Sequence, residues 1–479
     1  MSLELDDIKE PEKSNTDIET SPQELVDSSR RNLLKLGVAG AGAAIAGAGG
    51  VFISKKLDGT PMEDIVPSGD IKSDFKQMDQ RNLILTFAQS PALQQQFPER
   101  QVLFNKVLKE EDPNHPDFDF TEDYRGMRGK PTRDEPGYTQ LDKALQSSTG
   151  FSWNYIAPNE GNAQPGAGIL NWDQSSVAKQ KYTFPNKQAA TQSIKSAARL
   201  YGACACGIAR FDKRFVYDPM YDMVTDKTLS WDEDFPFEPK SVIVMLWEMD
   251  YHCLATAPAW TSDAAVAAAY THQNTGAAQM AQFIKGLGYH AIGAGNDLAN
   301  SVAYGVLAGL GEGARNGHLI APKVGCRVRI SKVFTDFDFF EYAQPRDFGV
   351  KSFCQNCKRC ADSCPSKAIS FDDKPSLYPT YTENEEETWN NQVGIYKYHN
   401  DAKKCFKFWT ENGSGCAACI ASCPYNKPDF WHHRFIDAAN VISPGWVHSI
   451  MRESDILFGY GNVADPEKVN HFWKTGDKS

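Results

Sequence analysis

The chain has 479 residues, with 50 basic and 61 acidic side chains and a formal net charge of −11. Hydrophobic residues at 41% and aromatics at 11% supply a large core and exclude a mostly disordered chain, and at roughly 150 residues per domain the length suggests about three domains. The acidic balance argues against a nucleic-acid partner held by phosphate neutralisation, and 12 cysteines are too few for a disulfide scaffold and too many to be incidental.

Residues 1–29 are polar and acidic, without a hydrophobic period. Ser29-Arg30-Arg31-Asn32-Leu33-Leu34-Lys35 follows, then a weakly apolar stretch from Leu36 to Ser54 with small residues at Ala46-Gly47-Ala48. This order reads as a twin-arginine export signal over residues 1–50. A transmembrane helix is the competing reading, but the glycines at 37, 40, 42, 47, 49 and 50 each cost roughly 1 kcal/mol in a helix interior. Removing the leader would leave a net charge of about −7. Twin-arginine export carries folded proteins, commonly with cofactors already inserted.

Residues 51–190 are rich in Pro, Gly, Asp and Gln and predict short helices and loops. From Thr191 the texture becomes regular. Thr191–Gly202 predicts a helix, Cys204–Ala209 a strand, and the apolar run Ser241–Met249 a buried strand. A helix is predicted from a cap at Ser262 to about Lys285, where Gly286 and Gly288 stop it. Tyr289–Gly293 predicts a strand and Asn300–Leu310 a short helix. Arg327–Phe334 predicts a strand with Arg327, Arg329 and Ser331 on one face. Alternation of strand and helix over 191–335 indicates an α/β (α+β) domain.

The cysteines carry the sharpest signal. Cys354-x2-Cys357-x2-Cys360-x3-Cys364-Pro365 forms one block and Cys405-x10-Cys416-x2-Cys419-x3-Cys423-Pro424 the second, within a domain spanning 345–430. In two-cluster ferredoxins the Cys that trails by three residues ligates the other cluster. The expectation is two [4Fe–4S] clusters, one on Cys354, Cys357, Cys360 and Cys423, the other on Cys405, Cys416, Cys419 and Cys364. The ten-residue gap after Cys405 suggests an inserted loop. Zinc and disulfides are the competing readings, and neither accounts for the trailing C-x3-C-P. Cys204, Cys206, Cys253 and Cys326 are expected as small core thiols. Residues 431–479 form a C-terminal extension.

Together, the leader, the regular domain and the C-terminal cluster block resemble the respiratory reductive dehalogenases over nearly the whole chain. The specific stretches are Tyr270, Gly293-Ala294-Gly295-Asn296-Asp297, Leu310 to Gly317, and Arg327-Val328-Arg329. The resemblance implies a nitroreductase-like domain at 191–335 holding a corrinoid, with the 51–190 region covering the cofactor. No Asp-x-His-x-x-Gly motif is present, which fits the family's base-off corrinoid without a histidine ligand.

By the same resemblance Tyr270 is the proton donor, with Asn296 and Arg329 beside it. Loss of halide by two-electron reduction leaves a carbanion or radical that needs a proton. A phenol of pKa about 10 can supply it when a guanidinium stabilises the phenolate. The glycines at 309, 311, 313 and 317 would let backbone approach a large ligand, or simply mark a helix end and turn. Asn316 and His318 could bond the ligand's tail or cap that turn. Trp153, Trp172, Trp260 and Trp389 could wall an apolar pocket. His252, His272 and His290 are expected to be structural or surface residues.

The expected reaction is R–Cl plus two electrons and a proton giving R–H and chloride, on a small chlorinated aliphatic, in organohalide respiration. The expected partners are an upstream electron donor and a small integral-membrane anchor, with the mature chain on the outer face of the cytoplasmic membrane. Two alternatives remain. An epoxyqueuosine reductase-like enzyme acts on tRNA in the cytoplasm, against which the leader and the acidity argue. An exported ferredoxin-type subunit without corrinoid would leave the residues before Cys354 without a role.

Overall fold

The apolar run at 241–248 forms a strand, β4 (Ser241–Glu248), buried along all but its last residue. Such a run makes sense only when both faces of a sheet are covered, and they are. Val242, Val244 and Leu246 enter one core with Ile292, Ile330 and Phe334. Ile243, Met245 and Trp247 enter another with Ile194, Ile208, Met280 and Ile284.

The computed structural model describes residues 77–83, 132–149, 168–170, 176–222, 225, 227–381, 391–427, 452–453 and 461–475. These all belong to one unit, Val66–Ser479, and Met1–Ile65 lies outside the described residues. The expected export leader therefore lies outside them, as do Trp153, Trp172 and Trp389. Among the described residues no helix is long and apolar enough to cross a membrane.

In chain order the elements are α1 (Gln140–Thr149), α2 (Lys187–Leu200), β1 (Ala205–Arg210), a small ribbon β2 (Met220–Asp222) and β3 (Lys227–Leu229), then β4. There follow α3 (Trp260–Gly286), β5 (Ala291–Ala294), α4 (Ser301–Leu307), the hairpin β6 (Glu312–Gly313) and β7 (Leu319–Ile320), and β8 (Val328–Thr335). The cysteine blocks carry α5 (Val350–Cys357) and α6 (Ala402–Asn412), and α7 (Pro466–Thr475) closes the chain. The main sheet has the order β1-β4-β8-β5. All three of its ladders are antiparallel. Alternation of strand and helix predicts element type but not strand direction, and the antiparallel ladders place this mixed domain on the α+β side.

The helices sit where their apolar stripes put them. Asn186 caps α2, its Oδ1 accepting from Ala189 N at 2.7 Å, and Ala190, Ile194 and Ala198 then repeat every four residues on the buried side. The long helix α3 departs from its expected start. Ser262 does not cap it; the helix begins at Trp260, and the Ser262 hydroxyl donates back to Ala259 O at 2.7 Å. The start is set instead by docking, since Trp260 N donates to Gly137 O at 3.0 Å and its indole to Gly413 O at 3.1 Å. Trp260 is thus an anchor of the helix and not a pocket wall. The C-terminal extension packs back onto this end of the molecule, where Trp473 Nε1 donates to Asp142 Oδ1 at 2.7 Å.

Small residues let α3 lie close to the sheet. A Cβ on Gly276 would come within 2.0 Å of the Trp247 ring, whose indole donates to Ser331 Oγ at 2.8 Å. Gly276→Ala should therefore destabilise the fold by about 1–3 kcal/mol through overpacking, read as a lower thermal midpoint; an unchanged midpoint would contradict this packing.

Candidate active site

Tyr270 lies midway along α3, 9% exposed. Two other elements converge on it. Arg329, on β8 opposite Trp247, sets its guanidinium carbon 4.4 Å from the Tyr270 ring centroid. Asn296, in the loop after β5, donates from Nδ2 to Tyr270 Oη at 2.9 Å. The three side chains, distant in sequence, form one group. Arg327, expected on the same face as Arg329, lies just before β8 and serves a different end. It is buried, pairs with Glu248 at 2.7 Å and donates to Lys427 O at 2.9 Å, tying the sheet to the end of the cysteine region.

The loop carrying Asn296 is pinned from beneath. Lys332 on β8, fully buried, donates from Nζ to Gly295 O and to Ser301 Oγ, the latter at 2.6 Å. Burial pushes its ammonium down and the Asp297 carboxyl up, and each charge opposes the other's shift. Asn300 then caps α4 by accepting from Ala303 N at 3.1 Å. Sequence reasoning missed Lys332; a lysine in the middle of a strand, between Ser331 and Val333, was its signal.

A cavity of about 740 Å³ opens beside this group, within the usual size range of small-molecule sites. Tyr270 and Arg329 line one part of it, Val302 and Val306 of α4 another, and Cys364, Cys405, Cys416 and Cys419 a third. Of the four positions expected to touch a cofactor, Gly313, Asn316 and His318 line the cavity. Gly311 does not. A Cβ there would come within 2.2 Å of Ile320 O, so this glycine serves the close approach of β6 to β7. Asn316 does two things: it faces the cavity, and its Nδ2 donates to Cys419 O at 3.3 Å. His318 Nε2 lies 3.9 Å from Cys419 Sγ. Burial, aided by the Arg329 charge, pushes its imidazole down to about 4, so it is neutral near pH 7.

Three buried polar atoms in the cavity wall have no hydrogen-bond partner among the described residues: Arg329 Nε, Asn400 Oδ1 and Trp409 Nε1. Leaving such atoms unpaired costs about 1–3 kcal/mol each, so the wall is built for a ligand with both donors and acceptors. Asn400 and Trp409 carried no motif and were not singled out in the sequence.

The eight block cysteines fall into two neighbourhoods. Cys354 and Cys360 feel Cys357 and Cys423, whereas Cys405 and Cys416 feel Cys364, and Cys419 feels Cys405, Cys416 and Cys364 together with Cys360 of the other set. The blocks repeat one backbone device. Lys358 and Ala417, each directly after the second Cys of its block, adopt left-handed φ values of 52° and 54°. One-turn helices Arg359–Asp362 and Ala418–Ala421 follow and aim Cys364 and Cys423 across. Burial pushes the thiols of Cys354, Cys360, Cys405, Cys416 and Cys419 up, and for Cys423 a contact with Cys326 leads. Among the described residues no three donors close on a single metal ion. Of the other thiols Cys253 and Cys326 are buried, as expected. Cys206 is partly exposed and Cys204 exposed, because Cys204 precedes β1 at the end of the α2 turn instead of lying within the strand. His290 is a surface residue paired with Asp336 at 2.8 Å.

Residues 353–427 match the family model of the 4Fe-4S dicluster domain. A curated relative, the tetrachloroethene reductive dehalogenase of Dehalobacter restrictus, is 33% identical over 395 residues, covering 70% of each chain. The catabolic reductive dehalogenase NpRdhA aligns in structure with a TM-score of 0.58 at 19% identity, covering 84% of this chain and 50% of its own. A further solved structure, described as a reductive dehalogenase suggesting a mechanism for B12-dependent dehalogenation, aligns with a TM-score of 0.57 at 18% identity, over 83% of this chain and 49% of that one. The chain thus spans about half the length of those two structures, and at such identities the likeness shows the fold.

Two predictions follow from this geometry. Cys423→Ala should lose the same electron-paramagnetic signal as Cys357→Ala, and Cys364→Ala the same one as Cys416→Ala, each variant falling from about eight irons to about four; pairing by sequence block would contradict the crossover. Glu312 accepts from Phe348 N at 2.7 Å and Val350 N at 2.9 Å at the start of α5, and burial raises its carboxyl to about 7. A raised carboxyl contributes stability that is full below the unfolded pKa and lost as pH rises through 7. Glu312→Gln should remove about 1–3 kcal/mol of this pH dependence between pH 5 and 8; denaturant titrations with equal slopes for both proteins would contradict it.

Proposed function

The chain belongs to the reductive dehalogenase family, and on that premise we propose that it removes halide from a small organohalide, R–X plus two electrons and a proton giving R–H and X⁻. The observation that carries this reading is the Tyr270–Asn296–Arg329 group, of which Tyr270 and Arg329 line a cavity that four cysteines also line.

The cavity suits a corrinoid. Arg329, Asn400 and Trp409 line it and carry donors and acceptors suited to the amides on a corrinoid rim, and the exposed Gly313 backbone would let the ring or its tail approach. Bound there, a corrinoid would supply the two-electron reducing centre, and [4Fe–4S] clusters on the two cysteine sets would store single electrons. The base-off form without a histidine ligand rests on the family resemblance and on the lack of an Asp-x-His-x-x-Gly motif. The Cys364, Cys405, Cys416 and Cys419 set lines the cavity, so the Cys354 set stands on the electron-entry side.

The protein's own residues manage the proton. Asn296 donates to Tyr270 Oη and fixes the phenol at the cavity, where its proton would pass to a substrate. The Arg329 charge over the ring stabilises the phenolate left behind. Lys332 holds the Asn296 loop in register. The apolar side chains of Val302, Ala303 and Val306 suit a chlorinated aliphatic, the class named by the curated relative.

The antiparallel sheet with α3 across it supports a nitroreductase-like assignment for residues 191–335. Arg30-Arg31 supports twin-arginine export to the outer face of the cytoplasmic membrane, with a small membrane anchor and a respiratory electron donor as partners. Tyr270→Phe should lower kcat by about 10²–10⁴ while corrinoid and iron contents stay at wild-type levels; full activity in that variant would overturn the assignment.

A further inference from the structure

Arg315 follows directly on the hairpin segment that lines the cavity, yet it points away from the reaction. It is 1% exposed, among the largest fully buried side chains of the molecule. Nε and Nη2 both donate to Cys354 O, at 3.1 and 2.8 Å. Nη1 donates to Ser370 O and Asp372 O, each at 2.7 Å. The guanidinium carbon lies 4.2 Å from the Tyr398 ring centroid.

Every one of these acceptors is a neutral main-chain carbonyl. Among the described residues no carboxylate pairs with Arg315: Asp372 accepts from Ser370 Oγ at 2.5 Å, and Asp373, which feels the Arg315 charge only after that of Lys358, pairs with Lys358 at 2.6 Å on the exposed surface. Carbonyls satisfy the donors of a guanidinium but do not neutralise its charge, and a buried cation without a counter-charge is costly. Four thiolates around an iron–sulfur cluster make a buried anion, and Cys354 is one of them.

We propose that Arg315 is the internal counter-ion of the cluster held by Cys354, Cys357, Cys360 and Cys423, and that its charge makes this cluster selectively easier to reduce. The inference rests on the two-cluster reading above. Reduction adds one electron to an already anionic cluster, so a fixed positive charge beside it favours the reduced state. Arg315 grips no residue of the cavity-lining cysteine set, so the effect falls on one cluster of the two. Arg315 is in these terms a positioning and charge-balancing residue, not a catalytic one.

The test is a dithionite titration of the intact protein followed by electron paramagnetic resonance, with the signal of the Cys354 set identified by its loss in Cys423→Ala. Wild-type protein without two cluster signals would defeat the functional reading itself, before this inference is reached. With two signals present, Arg315→Gln should make reduction of the Cys354 set at least tenfold less favourable, about 59 mV for one electron, and leave the other cluster in place. Arg315→Lys, which keeps the charge, should hold the wild-type potential. Unchanged potentials in Arg315→Gln, equal shifts of both clusters, or a Lys variant that behaves like Gln would each overturn the proposal. If Arg315→Gln loses that cluster on purification, the Lys variant decides: retention at the wild-type potential supports the charge argument, and loss overturns it.

Discussion

Charge is difficult to bury, and the C-terminal third of this chain is built around that difficulty. It gathers eight thiols into two overlapping groups, where burial and neighbouring thiols work against ionisation of Cys354, Cys360 and Cys419. Iron bound inside each group, as proposed above, would relieve that cost and couple the folding of this region to its metal. The crossing of Cys364 and Cys423 between the groups then locks the two blocks together. Asn316 and Arg327 fasten the result to the sheet domain, at Cys419 O and Lys427 O.

Strand β8 transmits that arrangement to the site. It lies between β4 and β5 and presents Arg329 to Tyr270, while Lys332 holds the loop of Asn296. α3 runs close over the same sheet because Gly276 leaves room for Trp247. The Tyr270 group, the proposed proton donor, is thus placed by a helix, a strand and a pinned loop, and the cavity it borders is also lined by the Cys364 set. Rigid placement of this kind is what acid catalysis requires, since a misplaced donor loses most of its effect.

Much of this was legible in the sequence, for identifiable reasons. The cysteine spacing carries its own geometry, because three ligands from one turn leave the trailing Cys pointing elsewhere. The strand at 241–248 is legible from its unbroken apolar run. Tyr270, Asn296 and Arg329 were legible only through family resemblance, since each is by itself an ordinary helix, loop or strand residue. What escaped was set by tertiary contact. Strand direction follows from packing and not from alternation. Ser262 is a good capping residue that docking of Trp260 placed inside the helix. Gly311 was taken for a ligand contact because glycine marks close approach without saying to what. Asn400 and Trp409 emerge only when their unpaired atoms are seen in the cavity wall.

The central claim is that one chain holds a corrinoid between its proton donor and its clusters. The most direct measurement is the cofactor content of protein purified anaerobically from corrinoid-replete cells, then unfolded, with released corrinoid read from the visible spectrum and iron by chemical assay. The account predicts one corrinoid and about eight irons per chain. A full complement of iron with no corrinoid would contradict it and leave an electron-transfer protein in its place.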